Sequence, residues 1–151
     1  MKTKLYPIIP DKLYQSARTH NLSSYEKQIL VKQYKIDLIV NLWHTADEEM
    51  AGIVRGGYIH RYLPDGKTPV FDELERIADI VTPLIQKGTV VLSHCYGGRN
   101  RSGLLNAIIV MRLFHCDGEA AYRYIRYCRP NSLVNERFAN WLKEQKNGKI
   151  E

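Results

Sequence analysis

Apolar residues recur along this chain in two different rhythms. Residues 37–42, Asp-Leu-Ile-Val-Asn-Leu, form a short, continuous and partly β-branched run, the pattern of a strand buried on both faces. Residues 89–93, Thr-Val-Val-Leu-Ser, repeat it, while 58–63 alternates more weakly and ends at Pro64. Leu13-Tyr14-Gln15-Ser16 fits a short edge strand. Between these runs the spacing changes to three and four. Residues 71–87 carry Leu74, Ile77, Ala78, Val81, Leu84 and Ile85 at helical intervals before Gly88, and Pro83 inside this helix should kink it. Residues 23–34 open with Ser23 and Glu26 in the relation of a capping box, and 45–55 open with Thr45 and Glu48 in the same relation. Three further helical patterns cover 102–114, 118–128 and 134–145.

Strands alternating with helices predict an α/β fold: a single domain whose central, mostly parallel sheet of four to five strands is flanked by helices on both faces. Ligands of such sheets bind beyond the carboxyl ends of the strands, where loops turn into helices. With 151 residues the chain can bury one real core, so residues 1–151 are expected to be one domain. No apolar run is long enough to cross a bilayer, and the N-terminal MKTKLYPIIPDKLYQS has prolines and an aspartate where a signal peptide needs an apolar centre. A monomeric cytoplasmic protein is expected, or a nuclear one in a eukaryotic host. The net charge of +6 attracts anionic partners, whether phosphoproteins, phosphoinositides or nucleic acid, and selects none of them.

Three cysteines make no disulfide framework. Cys116 and Cys128 fall in helical patterns and read as small buried hydrophobes. Cys95 does not, because it sits in VVLSHCYGGRNRSG, residues 90–103, where a strand pattern runs into glycine and positive charge before a helix begins. If that loop closes around an anion, every part has a task. The helix start near Ser102 offers unpaired N–H groups and the positive end of its dipole. Gly97 and Gly98 allow the backbone amides to turn inward as a nest. Arg101 can grip two phosphate oxygens in a fork. The same cradle favours the thiolate form of Cys95, which would then be a nucleophile beneath the phosphate it helps to hold. A Walker loop would need a Lys followed by Ser or Thr after its glycines, and zinc would need a CxxC or HExxH pair; neither is present.

His94-Cys95, five residues, then Arg101-Ser102-Gly103 resembles the signature of the cysteine-dependent protein tyrosine phosphatase superfamily. The chain's length is similar to that of its compact dual-specificity branch, as are Leu13 to Ala17, the strand ending Val40-Asn41-Leu42, and Leu63-Pro64-Asp65. The resemblance covers essentially the whole chain. It implies that Cys95 attacks phosphorus and forms a phosphocysteine, and that the amides of Tyr96, Gly97, Gly98, Arg99, Asn100 and Arg101, with the Arg101 side chain, bind phosphate. It further implies that Ser102 hydrogen-bonds the sulfur and that His94 orients the loop and supports the thiolate. Asp65, 95 − 65 = 30 residues before the cysteine, takes the family's general-acid position; a Pro-Asp-Gly triplet taken alone is simply a turn. Asp47 and Asp72 are weaker candidates, since each stands near a helix start. Arg129-Pro130-Asn131 resembles the family's segment that supports the loop. No metal and no organic cofactor is implied.

A phosphorylated protein is the expected substrate. No segment matches the loop with which tyrosine-only enzymes deepen their pocket, so serine and threonine esters are expected as well. Arg99 at the loop rim and Asn100 before Arg101 leave RNA 5′-phosphates and phosphoinositides as alternatives, and a silent phosphate-binding module is a third. Residues 122–129 interleave tyrosines with arginines, as nucleic-acid surfaces can. At helical spacing, however, Ala121, Tyr124, Ile125 and Cys128 make a buried face and the arginines a solvated one.

Overall fold

The computed structural model describes residues 3–64 and 70–146. Among the described residues, five strands form one sheet in the order β1-β2-β5-β3-β4: β1 Tyr6–Ile9, β2 Leu13–Ser16, β3 Leu38–Asn41, β4 Gly57–His60 and β5 Val91–His94. All neighbouring pairs are parallel except β1 with β2. The helices described around it are α1 Ser24–Tyr34, α2 Glu48–Ile53, α3 Val70–Gln86, α4 Arg101–Phe114, α5 Gly118–Cys128 and α6 Glu136–Lys143.

Alternation along the strands sorts side chains between two cores, because successive residues point to opposite faces. Leu13, Leu38, Val40 and Val91 pack with α3, α4, α5 and α6. Tyr14, Ile39 and Leu92 pack with Leu30 of α1 and Met50 of α2 on the other face. The expected mostly parallel sheet with helices on both faces is therefore the observed one. Helix α4 is buried along residues 101–111, which explains its run of Leu, Ile, Val and Met.

Two local expectations differ from the structure. Leu13–Ser16 is not an edge strand: β1 covers it on one side and β5 on the other. The edge is β1, which carries Pro7; a proline lacks the ladder donor and is tolerated where one side of the strand is free. The helix expected from Thr45 begins at Glu48 and is capped by Asp47, whose carboxylate accepts the Met50 N–H at 3.2 Å. Thr45 cannot cap, because its hydroxyl pairs with His44 and its carbonyl accepts from Asn41 and His20. Helix α3 continues a turn beyond the exposed Pro83, since the carbonyl that proline leaves unbonded, at exposed Asp79, lies on the solvent side. The capping box at Ser23 is formed: Glu26 N–H donates to Ser23 Oγ at 3.1 Å, and Ser23 N–H to Glu26 Oε1 at 2.9 Å.

Strand β4 stops at His60, yet the chain stays beside β3. Arg61 N–H donates to Asn41 O at 2.9 Å and Leu63 N–H to Leu42 O at 3.2 Å. This irregular pairing carries Leu63 and Pro64 to the sheet edge where β5 ends.

Candidate active site

Strand β5, central in the sheet, ends at His94, and α4 begins seven residues later at Arg101. The loop between them wraps a pocket of about 250 Å³ lined by Cys95, Tyr96, Gly97, Arg99, Asn100 and Arg101. Cys95 is only 2% exposed and belongs to the buried core cluster, against which Cys116 and Cys128 are only partly buried. Its sulfur lies 3.4 Å from Ser102 Oγ. The guanidinium of Arg101 is almost fully buried: Nη1 donates to Leu63 O at 2.9 Å, while Nε has no partner among the described residues. Asn100 stands at the cap of α4 without a side-chain cap bond, and its Oδ1 accepts instead from Asn135 N–H at 3.0 Å. The Asn100 side chain thus does not cap the first-turn amides of α4, at the helix end best suited to an anion.

The loop can close this tightly because of Gly98. Its φ is +71°, and a Cβ there would stand 2.5 Å from Ala17 N and Ser16 O, inside atomic contact. Three hydrogen bonds hold the loop from behind. Arg18 N–H donates to Tyr96 O at 3.1 Å, Leu133 N–H to Arg99 O at 3.0 Å, and Arg129 Nη2 reaches Gly97 O at 3.5 Å. The segment after α5 therefore lies where the resemblance puts a supporting segment.

A buried polar chain that sequence reasoning missed completes the support. Ser93 donates to Asn106 Oδ1 at 3.1 Å and Asn106 Nδ2 to Gln15 Oε1 at 3.1 Å. Gln15 Nε2 then donates to Gly98 O at 2.9 Å and Ser132 Oγ at 3.0 Å. By taking the Gly98 carbonyl, Gln15 leaves the opposite, N–H side of that peptide toward the pocket. Gln15→Leu strands the Gly98 carbonyl and the Asn106 amide in a dry interior; a loss of about 3 kcal/mol and a Tm lower by roughly 10 °C are expected in calorimetry. The only local signal was a glutamine in an otherwise buried strand pattern.

His94 is fully buried. Its Nδ1 lies 3.3 Å from Cys95 O, which can only accept, so that nitrogen carries the proton. Burial pushes its pKa from 6.5 down to about 4 against the favourable bond to Cys95. As a neutral ring His94 pins the Cys95 carbonyl and brings no positive charge to the sulfur. The folded state consequently binds fewer protons than the unfolded chain between those two values. Stability should be full above pH 6.5 and fall by about 1.4 kcal/mol per pH unit on acidification toward pH 4. Thermal melts from pH 7.5 to 4.5 test this, with His94→Gln flattening the dependence.

Asp47 is not placed to be an acid. It is buried as the cap of α2, and it accepts from Thr19 at 2.5 Å and Lys27 at 2.9 Å. Burial alone would raise its pKa, but the hydrogen bonds from Thr19, Lys27 and Met50 N–H outweigh it and hold the carboxyl below its ordinary value. Asp72 lies exposed in the first turn of α3. Asp65 lies outside the described residues, directly after Pro64 and two residues beyond the carbonyl that Arg101 grips. Arg99 and Tyr96 are exposed at the rim. Among the described residues no cluster of three His, Cys, Asp or Glu could hold a metal, and no helix is long and apolar enough to cross a membrane.

Comparisons with known proteins converge on this region. A family model of the dual specificity phosphatase catalytic domain matches residues 20–148. The dual specificity protein phosphatase PPS1 of Saccharomyces cerevisiae is 31% identical over 70 residues, 46% of this chain and 9% of that protein. The tyrosine-protein phosphatase cdc-14 of Caenorhabditis elegans is 24% identical over an alignment of 151 residues, 92% of this chain and 21% of that protein. The chain thus spans less than a quarter of the length of these curated relatives. The crystal structure of Cydia pomonella PTP-2 phosphatase shares the fold, with a TM-score of 0.78, 22% identity, and coverage of 93% of this chain and 88% of that one.

Proposed function

This chain belongs to the dual specificity phosphatase catalytic-domain family, and we propose that it hydrolyses phosphate monoesters of proteins, on tyrosine and on serine or threonine, through a phosphocysteine intermediate. The observation that supports this most directly is the buried Cys95 thiol at the floor of a pocket lined by loop backbone and Arg101.

The Cys95 thiolate attacks phosphorus in line with the ester oxygen, so that an S–P bond forms as the P–O bond to the leaving group breaks. The amides of residues 96–101 and the Arg101 guanidinium hold the three non-bridging oxygens, in place before charge spreads onto them. Asp65 gives its proton to the departing oxygen. Asp65, now a carboxylate, then takes a proton from water as that water attacks the phosphocysteine, and inorganic phosphate leaves as the S–P bond breaks. Ser102, 3.4 Å from the sulfur, donates to the emerging thiolate and stabilises it. His94 keeps the Cys95 carbonyl turned away. Thiolate, arginine and acid complete the cycle, so no metal or organic cofactor enters it.

A panel of phosphotyrosyl and phosphoseryl peptides, a phosphoinositide and 5′-triphosphorylated RNA tests the substrate. Hydrolysis of the peptides supports the proposal; turnover confined to the lipid or the RNA refutes the protein assignment, and binding without turnover would mark a silent module. Asp65→Asn should lower kcat on an alkyl phosphate by about a hundredfold and leave vanadate inhibition intact, because a positioned acid contributes to the chemical step rather than to anion binding. An unaltered rate would remove Asp65 from the role.

A further inference from the structure

Beside the pocket stands a wall of rings that hydrolysis itself does not require. Tyr96 directly follows the nucleophile, lines the pocket mouth and is 48% exposed. Its ring lies 5.2 Å from that of Trp43, Trp43 lies 4.5 Å from His44, and His44 lies 5.8 Å from Tyr62, which is 49% exposed. These residues come from three loops, after β5, β3 and β4, that share no sequence proximity. Several bonds brace the wall. Arg18 holds the Tyr96 carbonyl with its N–H at 3.1 Å and lays its guanidinium 4.0 Å from the Tyr96 ring centre. Trp43 N–H donates to Asn41 Oδ1 at 2.8 Å, and its carbonyl meets His60 Nε2 at 2.7 Å. Rings already held in place lose little freedom when a ligand packs on them.

We propose that Trp43 and Tyr96, braced by Arg18, form a leaving-group wall that makes this site prefer phosphate esters of a phenol, that is phosphotyrosine, over those of serine and threonine. The inference rests on the phosphoprotein reading above and sharpens it. In phosphotyrosine the ring is bonded to the ester oxygen itself, so with phosphate seated in the loop the ring must emerge beside residue 96. There it meets ring faces and edges with which an aromatic group pairs favourably. A phosphoserine presents only a methylene at that point. A nucleoside 5′-phosphate interposes a methylene and a ribose, which carry its base past the residue adjoining the nucleophile. Arg18 and Arg99 at the rim favour acidic residues around the phosphotyrosine.

The test compares kcat/KM for a phosphotyrosyl peptide, its phosphoseryl counterpart and a 5′-monophosphorylated oligonucleotide, in the wild type, Trp43→Leu and Trp43→Phe, with orthovanadate inhibition reporting on the loop. The wild type should favour phosphotyrosine by at least about tenfold, Trp43→Leu should reduce that ratio by about tenfold with vanadate affinity kept, and Trp43→Phe should restore most of it. A ratio indifferent to Trp43→Leu, a parallel loss of vanadate affinity, or better turnover of the oligonucleotide than of either peptide would overturn the proposal. An indifferent ratio with good turnover removes the wall and spares the phosphatase; no turnover of any ester by the wild type removes both.

Discussion

Cys95→Ser should lower kcat on every phosphate ester by at least about ten-thousandfold and leave orthophosphate or tungstate binding within a few-fold of wild type. The substitution exchanges one small atom at a site 2% exposed, so the surrounding backbone has no reason to move. What disappears is the proposed nucleophile. A serine hydroxyl is not ionised at neutral pH and needs a base to take its proton, and the nearest imidazole is unsuited to this. His94 Nδ1 faces the Cys95 carbonyl, and its Nε2 is buried without a partner among the described residues. Neither amides nor Arg101 are touched, so the anion site persists. Single-turnover kinetics paired with calorimetric anion binding measure the two effects separately. Residual turnover above about one part in a hundred would mean that some other group attacks phosphorus.

Arg101→Ala should have the next largest effect, about a thousandfold to ten-thousandfold in kcat, because an arginine aimed at a transferring phosphoryl group contributes on that scale. The residue does two things here. Its Nη1 ties the start of α4 to the carbonyl of Leu63, two residues before Asp65. Its Nε is a buried donor without a partner among the described residues, and a desolvated N–H of this kind suits a site where an oxygen is to be bound. Removing the side chain should therefore weaken phosphate binding and remove the tie between α4 and the Leu63 carbonyl together. Arg101→Lys keeps a charge but loses the planar fork, so it should recover no more than a small part of the loss. Vanadate affinity should fall in both variants, in contrast to Asp65→Asn. A variant with normal vanadate affinity and a normal rate would leave the guanidinium with a purely structural task.

Much of this architecture is written locally. The Ser23 box, the glycine after residues 71–87 and the β-branched runs at 37–42 and 89–93 each depend on residues within one or two turns, and each became the element expected. Where a local pattern had competitors, distant residues settled the outcome. Thr45 was expected to open α2, but Asp47, buried against Thr19 and Lys27, caps it instead. Pro7 hid β1, since proline argues against a strand everywhere except at an edge, and no local pattern reveals which strand will be the edge.

By itself the order of residues singled out the proposed reacting group and its cradle. His94 through Gly103 lie in one strand–loop–helix unit, where backbone geometry, glycine freedom and the helix dipole are properties of neighbours along the chain. Only the tertiary structure decided what braces that unit and what borders it. Gln15 meets Gly98 and Asn106 across 83 and 91 residues, and Tyr96 meets Trp43 from another loop. Periodicity tells which face of an element is buried. Which elements become neighbours is settled by the packing of the whole chain, summed over contacts that no short window contains.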